Sequence, residues 1–227
     1  MLSKTPYHAG TLKHAAGRNL PPIRSDGLDG AIELMGAPVP FARNAEIYAE
    51  GESADYLYKV VEGTARTSKV LADGRRQIGG FYLPGEIFGL EVGDQHTFSA
   101  ETITDCKVLV IKRSALIALA DRDHDVARQL WTVTGNELTR VQGHILLLIK
   151  SAQERVAAFL LEMAARIPTD NFVDLPMSRQ DIADYLGLTI ETVSRTLTQL
   201  EHRAAIELPS SRRIVLRNRA ALNRLNS

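Results

Sequence analysis

The spacing of apolar and polar residues divides the chain into three regimes. From Ala37 to about Ile111, apolar residues come in short runs broken by turns: Tyr56 to Val61, then Gly63, Thr64 to Leu71, the hairpin turn Asp73-Gly74, Arg76 to Leu83, the turn Pro84-Gly85, Phe98 to Thr104, and Cys106 to Ile111. Many short antiparallel strands joined in this way predict a roll or barrel. After a short helix near Ser114 to Ala120 the period changes. Ala127, Trp131, Thr134, Leu138, Val141, Ile145 and Leu148 alternate between spacings of four and three, which is a heptad seam on a long helix from Asp123 to about Lys150. Leu130, Val133 and Leu147 lie off the seam and face the roll. Beyond it, Val156, Phe159, Leu160 and Met163 mark an amphipathic helix from Gln153 to Arg166, ended by Ile167-Pro168.

The stretch MSRQDIADYLGLTIETVSRTLTQLE, Met177 to Glu201, reads as two helices joined by a tight turn. Ser178 is an N-cap, with Asp181 in the capping-box position where Glu or Gln is more usual. Ile182, Ala183 and Leu186 share one face. Gly187 supplies the left-handed conformation that a sharp turn needs, Leu188 is expected to be buried in the corner, and Thr189 caps the second helix. On that helix Val193, Leu197 and Leu200 share one side, and Glu191, Ser194, Arg195 and Thr198 share the other, with Ile190 at the boundary. This is the layout of a helix-turn-helix, whose second helix enters the DNA major groove by its N-terminal residues.

The exposed side carries suitable chemistry. Arginine donates two bonds to guanine, a carboxylate accepts from cytosine, and an apolar or hydroxyl group meets the thymine methyl. Arg195, Glu191, Ile190 and Ser194 are therefore the candidate base readers. Ser178, Arg179, Thr189 and Thr192 are candidate phosphate contacts, together with Arg212 and Arg213 at the tip of a winged hairpin built from 206–208 and 214–216. The plainer alternative for Glu191 and Arg195 is an i,i+4 ion pair on a solvated face, and for each wing arginine an ordinary solvated turn. Paired recognition helices need a two-fold axis to meet half-sites about one DNA turn apart. The heptad seam is accordingly expected to form a homodimer, the alternative being a long helix buried within one subunit.

Composition refines this picture only locally. In 227 residues, 27 Lys and Arg balance 27 Asp and Glu, so net charge says nothing about nucleic acid. From Arg203 onward, however, Arg203, Arg212, Arg213, Arg217, Arg219 and Arg224 face only Glu207, a basic patch beside the helix-turn-helix. The single cysteine, Cys106, is expected to be a buried thiol; it excludes an internal disulfide and a cluster held by four cysteines of one subunit. His8 and His14 sit in an arm, residues 1 to about 30, that lacks periodicity and is expected to be flexible, and they have no thiol or carboxylate companions at ligand spacing. The roll offers only His96, so a cupin-like metal enzyme would lack its ligand set. The longest apolar run, Ile145 to Ile149, is too short to span a bilayer, and the first residues lack the apolar core of a secretory signal. No membrane partner and a cytoplasmic location are expected.

The segment from Met177 resembles the DNA-binding region of the CRP/FNR superfamily, and Glu191-Thr-Val-Ser-Arg195 is similar to its FNR and FixK branch, where the serine goes with TTGA-type half-sites. The stretch FYLPGEIFGLEVG, from Phe81, resembles the phosphate-cassette region of the family's sensory roll. The likeness covers nearly everything after the arm. It implies an α+β fold: an N-terminal antiparallel β-roll (a double-stranded β-helix of the cyclic-nucleotide-binding type), a long dimerisation helix and a C-terminal winged helix-turn-helix. The expected boundaries are 1–30 for the arm, 31–122 for the roll, 123–150 for the dimerisation helix and 151–227 for the DNA-binding domain, with Lys150-Ser151-Ala152 as the hinge.

The same resemblance implies a transcription activator rather than an enzyme, with double-stranded DNA, RNA polymerase and a second copy of the chain as partners. Asp73, Gly74 and Arg75 resemble the roll's polymerase-contacting loop, and the loop Pro168 to Asp174 resembles a second activating surface. No cofactor is expected. CRP-type proteins hold the ribose at the position of Gly85-Glu86 and the phosphate with an Arg-Ser pair; here Phe98-Ser99 stands in place of that pair, and burying the anion beside an aromatic ring would leave it unpaired. The cysteines of an FNR-type cluster are absent. This is the FixK pattern, which implies activation without a bound cofactor at genes of microaerobic or anaerobic metabolism, nitrogen fixation among them. The alternative is a regulator of the same fold gated by an unidentified small ligand, or by haem on His96 or an arm histidine.

Overall fold

The computed structural model describes residues 27–91, 93–167, 169 and 171–225. His8, His14, most of the expected arm, and Pro168 lie outside the described residues. Strand β8 (Cys106–Lys112) is central to the roll, and its burial explains why its alternation is only partial. Cys106, Val108 and Val110 face an inner cluster with Tyr48, Tyr58, Val60 and Phe88, whereas Leu109 and Ile111 face a second apolar layer on the outside. A strand covered on both faces has no polar side to display.

The roll is two four-stranded antiparallel sheets. One has the order β1 (Ala37–Phe41), β8, β3 (Tyr56–Glu62), β6 (Ile87–Phe88); the other has β2 (Glu46–Tyr48), β7 (Ser99–Thr102), β4 (Ala65–Val70), β5 (Arg76–Tyr82). The turn between β4 and β5 falls at Asp73-Gly74, where Gly74 takes φ 82°.

The outer layer corrects one expectation. Residues 28–30 belong not to an aperiodic arm but to helix α1 (Leu28–Met35), whose Leu28 and Ile32, one turn apart, are buried against the roll. A single i,i+4 pair is too short a pattern to stand out in a sequence. The Lys59 ammonium pairs with Asp29 at 3.0 Å, and the Leu28 N–H donates to Gln129 Oε1 at 2.7 Å, pinning the N-terminal end of the helix.

Helix α2 (Arg113–Ala120) leads into α3 (His124–Leu148), capped by Asp123, whose Oδ1 accepts from the N–H groups of Asp125 and Val126. Leu130 and Val133 of α3 pack on the roll's outer layer, while Leu147 is buried in the core of the domain that follows. The expected break at 150–152 is present: α3 ends at Leu148 with Ile149 as its C-cap, and Ser151 opens α4 (Ala152–Arg166) with a reciprocal capping box to Glu154. Among the described residues, no helix is long and apolar enough to cross a membrane.

The C-terminal domain contains α4, β9 (Phe172–Asp174), α5 (Arg179–Leu186), α6 (Ile190–His202), β10 (Ile206–Glu207), β11 (Arg213–Leu216) and α7 (Arg219–Leu225). Two of these elements were not anticipated. Part of the expected activating loop, Phe172–Asp174, is a strand pairing antiparallel with β11, because Val173 is fully buried opposite Ile214. The arginine-rich tail contains α7, anchored by the buried Leu222. The domain core is continuous with the roll: Ile78, Phe81 and Ile103 join Phe159, Met163, Tyr185 and Leu186 in one apolar cluster.

Candidate nucleic-acid interface

Local sequence chemistry sets the two helices of the interface. Ser178 Oγ accepts from the Asp181 N–H at 3.1 Å, and Asp181 Oδ2 accepts from the Ser178 N–H at 3.0 Å, so the box closes even though Asp replaces the longer acid. Gly187 ends α5 at φ 60°, ψ 40°. A side chain would be strained in this left-handed conformation. The Leu188 N–H returns to Ala183 O, leaving Leu188 half-buried rather than fully buried in the corner. Thr189 Oγ1 then accepts from the Thr192 N–H and starts α6.

Helix α6 is two-faced. Val193, Thr196, Leu197 and Leu200 are buried, whereas Glu191, Arg195 and Thr198 are exposed, with Ser194 half-buried and Ile190 at 36 % exposure. The four candidate base readers therefore lie on the open side, at the N-terminal half. The Glu191 carboxyl is held below the usual carboxylate range by hydrogen bonds from its own backbone N–H and from Thr189, with the Arg195 charge adding to the effect. It stays ionised and ready to accept. Arg195 forms no ion pair among the described residues, so the i,i+4 pair offered as the plainer reading is not formed.

The phosphate candidates separate into free and engaged groups. Arg179 and Arg212 have no ion pair among the described residues. Arg213 is engaged: its Nε and Nη2 donate to both oxygens of Asp174 at 2.7 Å, and its guanidinium stacks over Phe172 at 4.8 Å. The Arg213 fork holds the Asp174 carboxyl below its ordinary range. Arg217 is likewise paired with Glu207. The hydroxyls of Ser178, Thr189 and Thr192 are all used locally in caps. Of the expected polymerase contacts, Asp73 and Arg75 pair with each other at 2.7 Å, and Gly74 and Arg75 line a cleft shared with Thr189, Ile190 and Thr192.

The seven seam residues lie along α3. Ala127 and Leu148 are half-buried, Thr134 spends its hydroxyl on Leu130 O, and the larger apolar residues are open in the single chain: Trp131 at 78 %, Leu138 at 58 %, Val141 at 42 % and Ile145 at 60 %. Such exposure contradicts burial of this face within one subunit.

Between that helix and the roll lies a cavity of about 550 Å³ whose walls include Tyr82, Phe88, Glu91, Phe98, Glu137 and Leu138. It is a poor host for a cyclic nucleotide. Its wall carries two carboxylates where a phosphate would need a cation, Ser99 Oγ already accepts from the Glu50 N–H, and both oxygens of Glu86 accept from Arg166. Arg140 sits over Tyr82 at 4.7 Å and is tied to Glu137. His96 is buried and stacked on Tyr48 at 3.6 Å, with Nδ1 3.4 Å from Glu91. No group of three or more His, Cys, Asp or Glu able to hold a metal occurs among the described residues. Cys106 is buried; its thiol donates towards Thr64 O and Thr104 O, and burial raises its pKa.

Residues whose roles were not foreseen from sequence are Arg66, Arg76 and Arg166. All three bridge the roll to the DNA-binding domain. Their only sequence signal was arginine within or at the start of a strand, or at a helix end.

Known proteins agree with this architecture. Residues 154–225 match the Crp-like helix-turn-helix domain, and residues 38–123 match the cyclic nucleotide-binding domain. The chain is 52 % identical to the nitrogen fixation regulation protein FixK of Azorhizobium caulinodans, over 86 % of this chain and 82 % of that protein. It is 40 % identical to the transcriptional activatory protein AadR of Rhodopseudomonas palustris, over 77 % and 75 % respectively. The structure of FixK2 from Bradyrhizobium japonicum superposes with a TM-score of 0.81 at 50 % identity, covering 85 % of this chain and 98 % of that one.

Proposed function

Since this chain belongs to the CRP/FNR superfamily, as a DNA-binding transcription regulator of the FixK type and not an enzyme, we propose that it acts as a homodimeric activator. It binds inverted TTGA-type repeats without a cofactor and recruits RNA polymerase. The observation that carries this reading is the open side of α6, which presents Ile190, Glu191, Ser194 and an Arg195 that has no ion pair among the described residues. Dimerisation through Trp131, Leu138, Val141 and Ile145 covers an apolar seam that is otherwise in water, and it sets the two recognition helices about one DNA turn apart.

The cofactor-free part rests on the roll. Its cavity repels an anion, and the acid at the ribose position is consumed by Arg166. The β4–β5 loop with Asp73, Gly74 and Arg75 is the proposed polymerase contact. Relatives named for nitrogen fixation regulation suggest a regulon of oxygen-limited metabolism, and the work of such a regulator places it in the cytoplasm.

The second reading, gating by a small uncharged or cationic ligand, is favoured by the same cavity and by buried polar atoms of Tyr48, His96 and Glu91 that have no hydrogen-bond partner among the described residues. Binding to an inverted TTGA duplex separates the two. Protein purified and exhaustively dialysed is expected to bind with a Kd of roughly 10⁻⁸ M or tighter at physiological salt, unchanged by added cyclic nucleotide. Specific binding that appears only after a small molecule is supplied would favour gating.

A further inference from the structure

The first helix of the helix-turn-helix is held from outside its own domain. Asp181, at the third position of α5, is only 4 % exposed and divides its two oxygens. Oδ2 completes the cap with Ser178, accepting from its N–H and its hydroxyl. Oδ1 accepts from Arg66 Nη1 at 2.9 Å and Arg76 Nη2 at 2.7 Å, both from the roll. Arg66 also grips Glu101 on the neighbouring strand, and Arg76 Nε donates to Asp184 Oδ2 at 2.7 Å, one turn along α5. Gln77 donates to Tyr185 O at 3.2 Å. Strands β4 and β5 therefore take hold of successive turns of α5 by side chains that are largely removed from water. In such a setting geometry is tightly specified, and losing one partner leaves a charge uncompensated.

From this arrangement we infer that Arg66 and Arg76 are positioning residues for DNA recognition, fixing α5, and with it α6, relative to the roll and the seam helix in the protein without ligand. Arg76 and Asp184 share a cleft with Ile190 and Glu191, but Arg66 and Arg76 spend their donors on carboxylates and act through Asp181 and Asp184. The inference rests on the ligand-free DNA-binding reading above and adds the device that supplies its preorganisation. Two recognition helices that must meet successive major grooves together lose affinity for the pair when each can swing, while each domain's own chemistry stays intact.

The test uses the full-length, unliganded protein and an inverted TTGA duplex beside a scrambled one. Arg66→Ala with Arg76→Ala is expected to lower affinity for the palindrome by about ten-fold or more, the upper part of the range for residues that couple sites indirectly, with affinity for scrambled DNA unchanged. Charge exchange supplies a readout that a role confined to the roll would not move. Arg76→Asp alone is expected to lose palindrome preference, and combining it with Asp184→Arg should restore most of it, because the new arginine lies beside both Asp181 and the substituted strand position. If the double alanine variant does not fold, Arg76→Gln is read by the same criterion, since that side chain lies at the rim of the network. The inference is overturned if folded variants keep the wild-type preference, or if the exchanged pair recovers nothing. A wild-type protein with no palindrome preference would instead overturn the underlying functional reading.

Discussion

The DNA-binding domain meets arginine in opposite settings on its two sides. Toward the roll, every bridging guanidinium is saturated: Arg66 holds Glu101 and Asp181, Arg76 holds Asp181 and Asp184, and Arg166 holds Glu162 and Glu86. On the open side, Arg179, Arg195 and Arg212 have no ion pair among the described residues. A cation leaving water must take its counter-charge with it, so the seam is assembled from complete pairs. A cation meant for a phosphate or a base edge keeps its donors free, because the nucleic acid supplies the acceptor and releases counterions. Arg213, tied to Asp174, sits on the open side but is wired like the seam.

Substitutions can break or sharpen this contrast. The largest effect is expected from Leu138→Glu on α3, which places a charge in the proposed two-fold seam. Sedimentation should show a single subunit, and affinity for the palindrome should drop by ~10³ or more, toward non-specific binding; a variant that stays dimeric would contradict the seam assignment. Next comes Arg195→Ala, expected to cost about 1–3 kcal/mol and to relax discrimination at one guanine when affinities are measured against a panel of single-base variants. Arg212→Ala should weaken all sequences alike and flatten the slope of log K against log salt by about one unit. Arg213→Ala should change that slope less, since its charge is already neutralised by Asp174; equal slopes would erase the distinction between free and engaged wing arginines.

The smallest expected effect concerns the seam in acid. Burial, aided by Arg140, lowers the His144 pKa against the opposing pull of Tyr185 O and Glu162; Nε2 lies 2.7 Å from that carbonyl, which can only accept, so Nε2 carries a proton. The unfolded chain therefore takes up a proton first, and stability is lost as pH falls below about 6.5 toward the lower folded value. Thermal unfolding of His144→Gln between pH 7 and 5.5 should show a shallower decline than wild type; parallel declines would contradict it.

How much of this was visible beforehand follows from the range of the forces involved. Caps, the αL glycine and the two-faced α6 are set within a few residues, so Ser178, Gly187, Thr189 and the buried Val193, Leu197 and Leu200 were legible directly. The heptad of α3 was legible because seven positions repeat. Helices α1 and α7 were not, since a single buried pair, Leu28 with Ile32, or a lone Leu222, gives no period. Strand β9 was hidden because three residues acquire strand character only by pairing with β11. The seam network was hidden for a deeper reason. Arg66 and Asp181 are far apart in sequence, and nothing local marks a capping carboxylate as one that also serves another domain. The same distance concealed the fate of Glu86, the residue after the expected Pro84-Gly85 turn. It is in that turn, and it also receives Arg166.

The central claim is that a pair of unliganded subunits reads DNA by the open side of α6. Selection of bound sequences from a random duplex pool, with purified, dialysed protein and nothing added, tests it most directly. Enrichment of an inverted repeat with TTGA-type half-sites, centred about one helical turn apart, is the predicted result. An unenriched pool, or enrichment of a lone half-site without its inverted partner, would contradict it.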